Sequence, residues 1–285
     1  MKFEDLFQHT FNALRKKKEP KVRNEIDFML PSMPMVEACR ADEFDFFRPF
    51  IDSGDLTVDQ MRHAAQRYHL GKTISGQSIF WMIDDMLQPL DAHIGGTWIS
   101  NLLKAREPLL DCWRVTHGLF GLHLMMEDVR WMMEDVRWKK DDVRWKKDDV
   151  RWKKDDVRWK KEDAGPTPGS ISIVEREETA VVMSELFPES IWMAYATTAH
   201  LVPELFAPLE GRVVTIYPRT DPTMSTYLFF LDYVDLVCKS YDIEIQVDRT
   251  LEDHATEDQK QRCIDVLDFI KEPLSDPNSA IIPPE

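Results

Sequence analysis

The chain is poor in cysteine, has no excess of positive charge and contains no long apolar run, and each shortage closes off a class of function. Cys39, Cys112, Cys238 and Cys263 are scattered, with no Cys-x-x-Cys pair and no Cys/His cluster at zinc spacing. That pattern argues against a disulfide scaffold and against a zinc site, and predicts reduced, mostly packed thiols in a cytoplasmic protein. The formal net charge is -15, from 36 Lys plus Arg against 51 Asp plus Glu, so phosphate neutralisation is not its main grip on any nucleic acid. A nucleic-acid contact would need a local basic patch or bridging metal ions. No apolar run spans a bilayer, and the opening Met1-Lys-Phe-Glu-Asp-Leu-Phe lacks a signal-peptide pattern, so no membrane partner is expected. The 285 residues make room for one large domain or two ordinary ones.

What is present centres on residues 170–223. The apolar run Ile171-Ser-Ile-Val174 is followed by Glu175-Arg-Glu-Glu178 opening a helix-compatible segment, then by Ile191-Trp-Met-Ala194. After Gly211 comes Val213-Val-Thr-Ile-Tyr217, closed by Pro218-Arg-Thr-Asp221-Pro222. Short continuous apolar runs separated by a helical segment predict a βαβ unit with a parallel sheet buried on both faces. Acids that follow such strands stand at their carboxyl ends, where open α/β sheets place their ligands. Glu175 and Asp221 are therefore the first candidates for chemistry. Both also admit structural roles: Asp221 before Pro222 suits a helix N-cap, and Glu175 and Glu177 suit the first turn of a helix.

Along the rest of the chain, residues 1–54 read as an N-terminal helical appendage. Phe3, Leu6, Phe7, Phe11 and Leu14 recur at helical spacing ahead of Arg15-Lys-Lys-Lys18, and Pro20, Pro31 and Pro34 interrupt the stretch beyond. Residues 55–124 read as a small α+β subdomain with a β-hairpin. Thr57 and Gln60 have capping-box spacing, Gly71 stands where that helix should stop, and Met61, Ala64, Ala65 and Tyr68 fall on its buried side. A strand over 78–83 turns back at Asp84-Asp85, and residues 98–106 look helical. His117 and His123 have no carboxylate or Cys at metal spacing and read as packing histidines.

Residues 125–163 are a heptapeptide tandem repeat: Met-Met-Glu-Asp-Val-Arg-Trp twice, Lys-Lys-Asp-Asp-Val-Arg-Trp three times, then a decayed copy. Val143 and Trp145 are two apart and Trp145 and Val150 five apart, whereas a coiled-coil seam alternates steps of three and four. We expect an exposed helix about 58 Å long with two thin stripes, one of Val and one of Trp131, Trp138, Trp145, Trp152 and Trp159. It reads either as a tolerated insertion or as a docking or self-association surface. Its thirteen basic and twelve acidic residues cancel. Residues 164–169 are a linker and 170–272 the α/β domain. Within it a helix over 223–240 should bury Leu228, Leu231, Val234, Leu236 and Val237, a strand comes next at 243–247, and a capped helix from Thr256 should bury Cys263, Val266, Leu267 and Ile270. Residues 273–285 form a polar tail.

Ser172-Ile-Val-Glu175 with Ala180 resembles the first Toprim motif, in which a Glu follows the first strand. Gly211-Arg-Val-Val-Thr-Ile-Tyr-Pro-Arg-Thr-Asp221 resembles the second, in which a strand ends in an Asp-x-Asp pair. With Gly76-Gln-Ser-Ile-Phe-Trp-Met-Ile-Asp84, residues 98–110 and Leu119-Phe-Gly-Leu-His-Leu124, the chain looks like a Toprim-related, primase-like family of Bacteroidetes mobile elements. The resemblance implies a Toprim-like, mostly parallel sheet with flanking helices, interrupted by the repeat. It also implies DNA or a replication or mobilisation protein as partner. Toprim chemistry would use Glu175 as acid/base and Asp221, with Glu177, to hold Mg²⁺ for phosphoryl transfer, as in a primase or nuclease. Arg219 stands where the first Asp of the pair belongs, which opposes metal binding and offers a phosphate contact instead. Thr197 and Thr198 replace expected glycines. The expected function is a DNA-processing accessory protein with a degenerate metal site, Mg²⁺ weak or absent; the alternatives are a scaffold acting through the repeat and a metal-dependent primase or nuclease.

Overall fold

A computed structural model describes residues 31–100, 118–125 and 170–272. Residues 126–163 of the repeat with its five Trp, residues 1–30, His117 and most of the segment at 98–106 lie outside the described residues, while Met125, the first residue of the repeat, is buried in the main core. The described part is mixed α/β with two four-stranded sheets, one antiparallel and one parallel.

The antiparallel part begins with short helices α1 (Met33–Ala38) and α2 (Arg48–Ser53), each carrying Pro in its first turn. Proline starts helices here, where its missing N–H has no partner to lose. The segment read as an appendage is partly core: Phe44, Phe47 and Phe50 are buried in the main hydrophobic cluster. Helix α3 (Val58–Arg67) opens with a capping box, the Gln60 N–H donating to Thr57 Oγ1 at 3.2 Å and the Thr57 N–H to Gln60 Oε1 at 3.0 Å. Its end differs from expectation. His69, at φ 52°, takes the left-handed conformation, while Gly71 lies in a strand. A Cβ at Gly71 would stand 3.0 Å from Cys39 O, so close approach of two backbones, and not a helix stop, is what requires glycine there.

The sheet β1 (Gly71–Lys72), β2 (Ser78–Ile83), β3 (Pro89–Ile94), β4 (Thr97–Trp98) runs in chain order, with Phe80 opposite His93 and Trp81 opposite Ala92. Strand β2 alternates between two cores: Ile79, Trp81 and Ile83 face a small cluster with Val36 and Cys39, and Phe80 and Met82 face the main core.

The parallel sheet contains β5 (Ile171–Val174), β6 (Ile191–Ala194), β7 (Val213–Ile216) and β8 (Glu244–Val247) in the order β6-β5-β7-β8. Helix α4 (Glu177–Leu186) links β5 to β6, and α5 (Ser225–Ser240) precedes β8. The two sheets share one core. Tyr68 Oη donates to Trp192 O at 2.7 Å, and Phe120 and Ala194 exchange backbone hydrogen bonds along the free edge of β6. Gly121, at φ 86°, lets that pairing happen, since a Cβ there would lie 2.9 Å from Trp192 O. His63 Nδ1 lies 2.8 Å from Glu185 Oε1, tying α3 to α4.

Two helices depart from the expected faces. In α5 the buried residues are Phe230, Tyr233 and Val237, whereas Leu228, Leu231 and Leu236 are exposed. The aromatic rings fill more of the space above the sheet, Phe230 packing 5.3 Å from Tyr195, and so set the rotation of the helix. The single helix expected after Thr256 is two, α7 (Glu257–Gln261) and α8 (Val266–Lys271), preceded by α6 (Thr250–His254). Cys263, at φ 52°, breaks the path, and Asp265 caps α8 through the N–H groups of Leu267 and Asp268. The thiols are not uniformly packed: Cys39 is buried, its pKa pushed up to about 12 by burial, but Cys238 is exposed. His123 is a packing residue, fully buried with Nε2 3.1 Å from Arg67 O, and burial lowers its pKa to about 4.

Candidate functional site

Strand β5 comes first in the parallel sheet and is flanked by β6 on one side and β7 on the other. The loops leaving β5 and β7 therefore part in different directions, opening the crevice in which such sheets bind ligands. Two side chains from these loops meet there: Arg219 Nε lies 3.2 Å from Glu175 Oε2. The crevice is roofed by the antiparallel sheet, and the resulting pocket of about 610 Å³ is lined by Glu175, Arg176, Glu177 and Arg219 on one side and by Gln77, Phe80, His93 and the Gly95-Gly96 turn on the other.

Each charge has a fixed neighbour. Glu177, the first residue of α4, is buried and has His93 Nδ1 at 2.8 Å from its Oε1. Contact with this carboxylate is the largest influence on His93 and holds its pKa above the ordinary value. Glu175 is shifted upward chiefly by burial, with Asp265 and Glu177 reinforcing and Arg219 opposing. Burial likewise raises Tyr195, whose hydroxyl lies in the field of Glu175 and has no hydrogen-bond partner within the described residues. Arg176 reaches the other way, donating from Nε to Asp265 Oδ2 at 2.8 Å and from Nη2 to Asp268 Oδ2 at 2.6 Å. Thr179 Oγ1 also donates to Asp265. Burial works to raise the Asp265 pKa, but the bonds from Arg176 and Thr179 prevail and hold it low. This cluster fixes α8 at the mouth of the crevice.

Asp221 has a different position. Its Oδ1 accepts from Thr223 N at 2.9 Å, Thr223 Oγ1 at 2.7 Å, Ser225 N at 3.1 Å and Ser225 Oγ at 3.1 Å, and its Oδ2 accepts from Thr226 N at 2.7 Å. Burial opposes ionisation, yet these donors hold its pKa well below the carboxylate range. Asp221 is not the N-cap residue, which is Met224, and Pro222 lies outside the helix; from three residues ahead its carboxylate instead accepts the first N–H groups of α5, those of Ser225 and Thr226, and it does not line the pocket. The structure thus brings Glu175, Glu177 and Arg219 together and leaves Asp221 outside.

A resident Mg²⁺ does not fit these residues. Hard divalent ions need several carboxylate oxygens turned to one point, but Glu175 is engaged by Arg219, Glu177 by His93 and Asp221 by its five donors. The residues missed by sequence reasoning are His93, Arg176 and Asp265. His93 had a signal, a titratable side chain opposite Phe80 on a strand face otherwise turned to the core. The Asp265–Asp268 spacing of a capping box was also readable.

The arrangement defines an α/β protein with an acid- and arginine-lined crevice at the carboxyl edge of its parallel sheet. A family model described as a domain of unknown function (DUF6371) matches residues 164–220. That match takes in β5, α4, β6 and β7 together with Glu175, Glu177 and Arg219, and ends before Asp221. No curated protein and no solved structure gives a significant match to the chain.

Proposed function

We propose that the chain is a Toprim-like, DNA-processing accessory protein of a mobile element whose crevice binds a phosphate group without a strongly held metal. The observation that carries this reading is the 3.2 Å pair between Glu175 and Arg219, set where the loops after β5 and β7 diverge. In a phosphoryl-transfer site of this plan a second carboxylate would stand where Arg219 stands, and the two acids would share a cation. A guanidinium there supplies a positive charge from the protein itself. With 47% of its side chain exposed, Arg219 can receive a phosphate while Glu175 holds it in register. The protein then positions a DNA end or works beside a replication or mobilisation protein, with catalysis weak or absent.

The test is a calorimetric titration with Mg²⁺ and Mn²⁺ of the wild type, Glu175→Gln and Arg219→Asp, paired with binding of a 5′-phosphorylated single-stranded oligonucleotide. The reading expects no tight metal binding by the wild type, gain of metal binding in Arg219→Asp, and oligonucleotide binding that Arg219→Asp abolishes. Tight metal binding by the wild type that Glu175→Gln removes would overturn it in favour of a metal-dependent primase or nuclease.

A further inference from the structure

The charges that line the crevice are not equally committed. Arg176 is spent on Asp265 and Asp268, and Arg262, which also lines the pocket, is spent on Asp258 and Glu272. Among the described residues Arg219 has one ion-pair partner, Glu175 at 3.2 Å, and keeps 47% of its side chain exposed. The Tyr195 hydroxyl, buried and unpartnered among the described residues, is a spare donor in the field of both Glu175 and Arg219. Of the remaining acids Glu177 has His93, but Glu178, half-buried on the first turn of α4, lines the pocket and makes no hydrogen bond or ion pair among the described residues. Arg176 and Lys271 act on it through their fields. The pocket thus offers one available cation and one available carboxylate.

That balance specifies a ligand. One uncommitted guanidinium holds one phosphate, and a strand threaded through the crevice would set its next phosphates against Glu177 and Glu178, like charge against like. The ligand is therefore a chain end, and a volume of about 610 Å³ suits a single group of that size. A carboxylate is best met by two parallel N–H donors. Of the four DNA bases only guanine carries two side by side on its Watson–Crick edge, the ring N–H and the exocyclic amino group. Adenine and cytosine set an acceptor next to their one amino group, and the ring N–H of thymine lies between two carbonyls, so each turns an acceptor toward a carboxylate. An unpaired terminal base leaves that edge free to be read. We propose that the crevice selects a terminal guanine nucleotide of a single strand, its end phosphate on Arg219 and its base on Glu178. The proposal rests on the phosphate reading of the crevice and adds the group that reads the base.

The test is binding of 5′-phosphorylated single-stranded oligonucleotides, identical except for a terminal guanine, hypoxanthine, adenine, cytosine or thymine, to the full-length wild type, Glu178→Gln and Glu178→Ala. The wild type should hold the guanine strand at least about tenfold more tightly than the adenine, cytosine and thymine strands. Hypoxanthine, which keeps the ring N–H but lacks the amino group, should fall between. Glu178→Gln turns one acceptor into a donor and should bring the guanine strand down to the level of the others, with the affinity of the adenine strand unchanged. Removing the 5′-phosphate should weaken the guanine strand by at least about tenfold. Equal affinity for every terminal base in the wild type overturns the inference, and that series needs no variant to fold. A guanine preference that survives in both Glu178 variants overturns it as well. Strands that bind equally without the 5′-phosphate, or that fail to bind at all, would overturn the phosphate reading itself and this inference with it.

Discussion

The loops that leave β5 and β7 start from the same topological position, each carrying an acid just past the carboxyl end of a buried parallel strand, and they treat that acid in opposite ways. After β5, Glu175 is partly buried, faces the crevice, and has a raised pKa with Arg219 as its near partner. After β7, Asp221 turns away, takes five hydrogen bonds at the start of α5, and has a pKa held well below the usual range. Position on the sheet alone does not make a carboxylate available for chemistry. The deciding factor is the number of donors that the next few residues present. Thr223, Ser225 and Thr226 come after Asp221 and enclose it, whereas Arg176, next to Glu175, spends its guanidinium on Asp265 and Asp268.

Substitutions at four positions sharpen or break this contrast. The largest expected effect is Arg176→Ala, which leaves the buried Asp265 carboxylate with fewer partners. We expect a loss of about 3 kcal/mol in urea unfolding, at the low end for a buried pair because part of the Arg side chain is exposed. The loss should be accompanied by faster hydrogen exchange in α8, and unchanged α8 exchange would refute the anchoring role. Next is Asp221→Ala, which removes the acceptor of the first N–H groups of α5 and should cost about 2 kcal/mol without altering oligonucleotide binding in the crevice. The Asp221 pKa is depressed by folding, so its contribution is fully present above the unfolded value near pH 4 and shrinks as pH falls below it. The stability gap between wild type and Asp221→Asn, measured by urea midpoints, should therefore narrow from pH 7 to pH 3. A gap independent of pH would show that ionised Asp221 is not the form that accepts these bonds.

Tyr68→Phe removes the hydroxyl bonded to Trp192 O between the two sheets and should cost about 1 kcal/mol by the same measurement. No change would mean that this hydroxyl contributes nothing to holding the two sheets together. The smallest effect on stability is expected from Glu175→Gln, within about 0.5 kcal/mol at neutral pH, as for a residue outside any structural network. The Glu175 pKa is raised by folding, so the wild type loses stability as pH rises through the carboxylate range toward that folded value, and Gln should flatten the slope. A loss comparable to that of Asp221→Ala would make Glu175 structural and remove the basis for the proposed crevice.

Strands β5, β6 and β7 were legible because each is a short, largely apolar run, and β8, at the edge of the sheet, was legible from its alternation of Glu and Gln with Ile and Val. The capping boxes at Thr57 and Thr256 were legible because a polar N-cap and its partner three residues on are a local pattern. The face of α5 was misread because leucine and phenylalanine occur all around it, so its rotation depends on which side chains fit the sheet. Of the candidate site, Glu175 was found from the strand-end rule, which also gave Asp221, and Glu177 and Arg219 were found from the resemblance to the Toprim motifs. His93 was not, because it reaches the crevice from a different sheet, and Phe80 and the Gly95-Gly96 turn line the pocket for the same reason.

By itself the amino-acid sequence determined the apolar strands β5, β6 and β7, the capping boxes at Thr57 and Thr256, the acidic balance of the chain and the presence of acids and an arginine at strand ends, all of which rest on composition or on neighbours within a few residues. Tertiary structure alone decided which acid meets the arginine, that His93 is delivered to Glu177, and which face of α5 remains uncovered. Those outcomes depend on where loops from separate strands converge and on which side chains best fill the space above a sheet, and no local pattern encodes either.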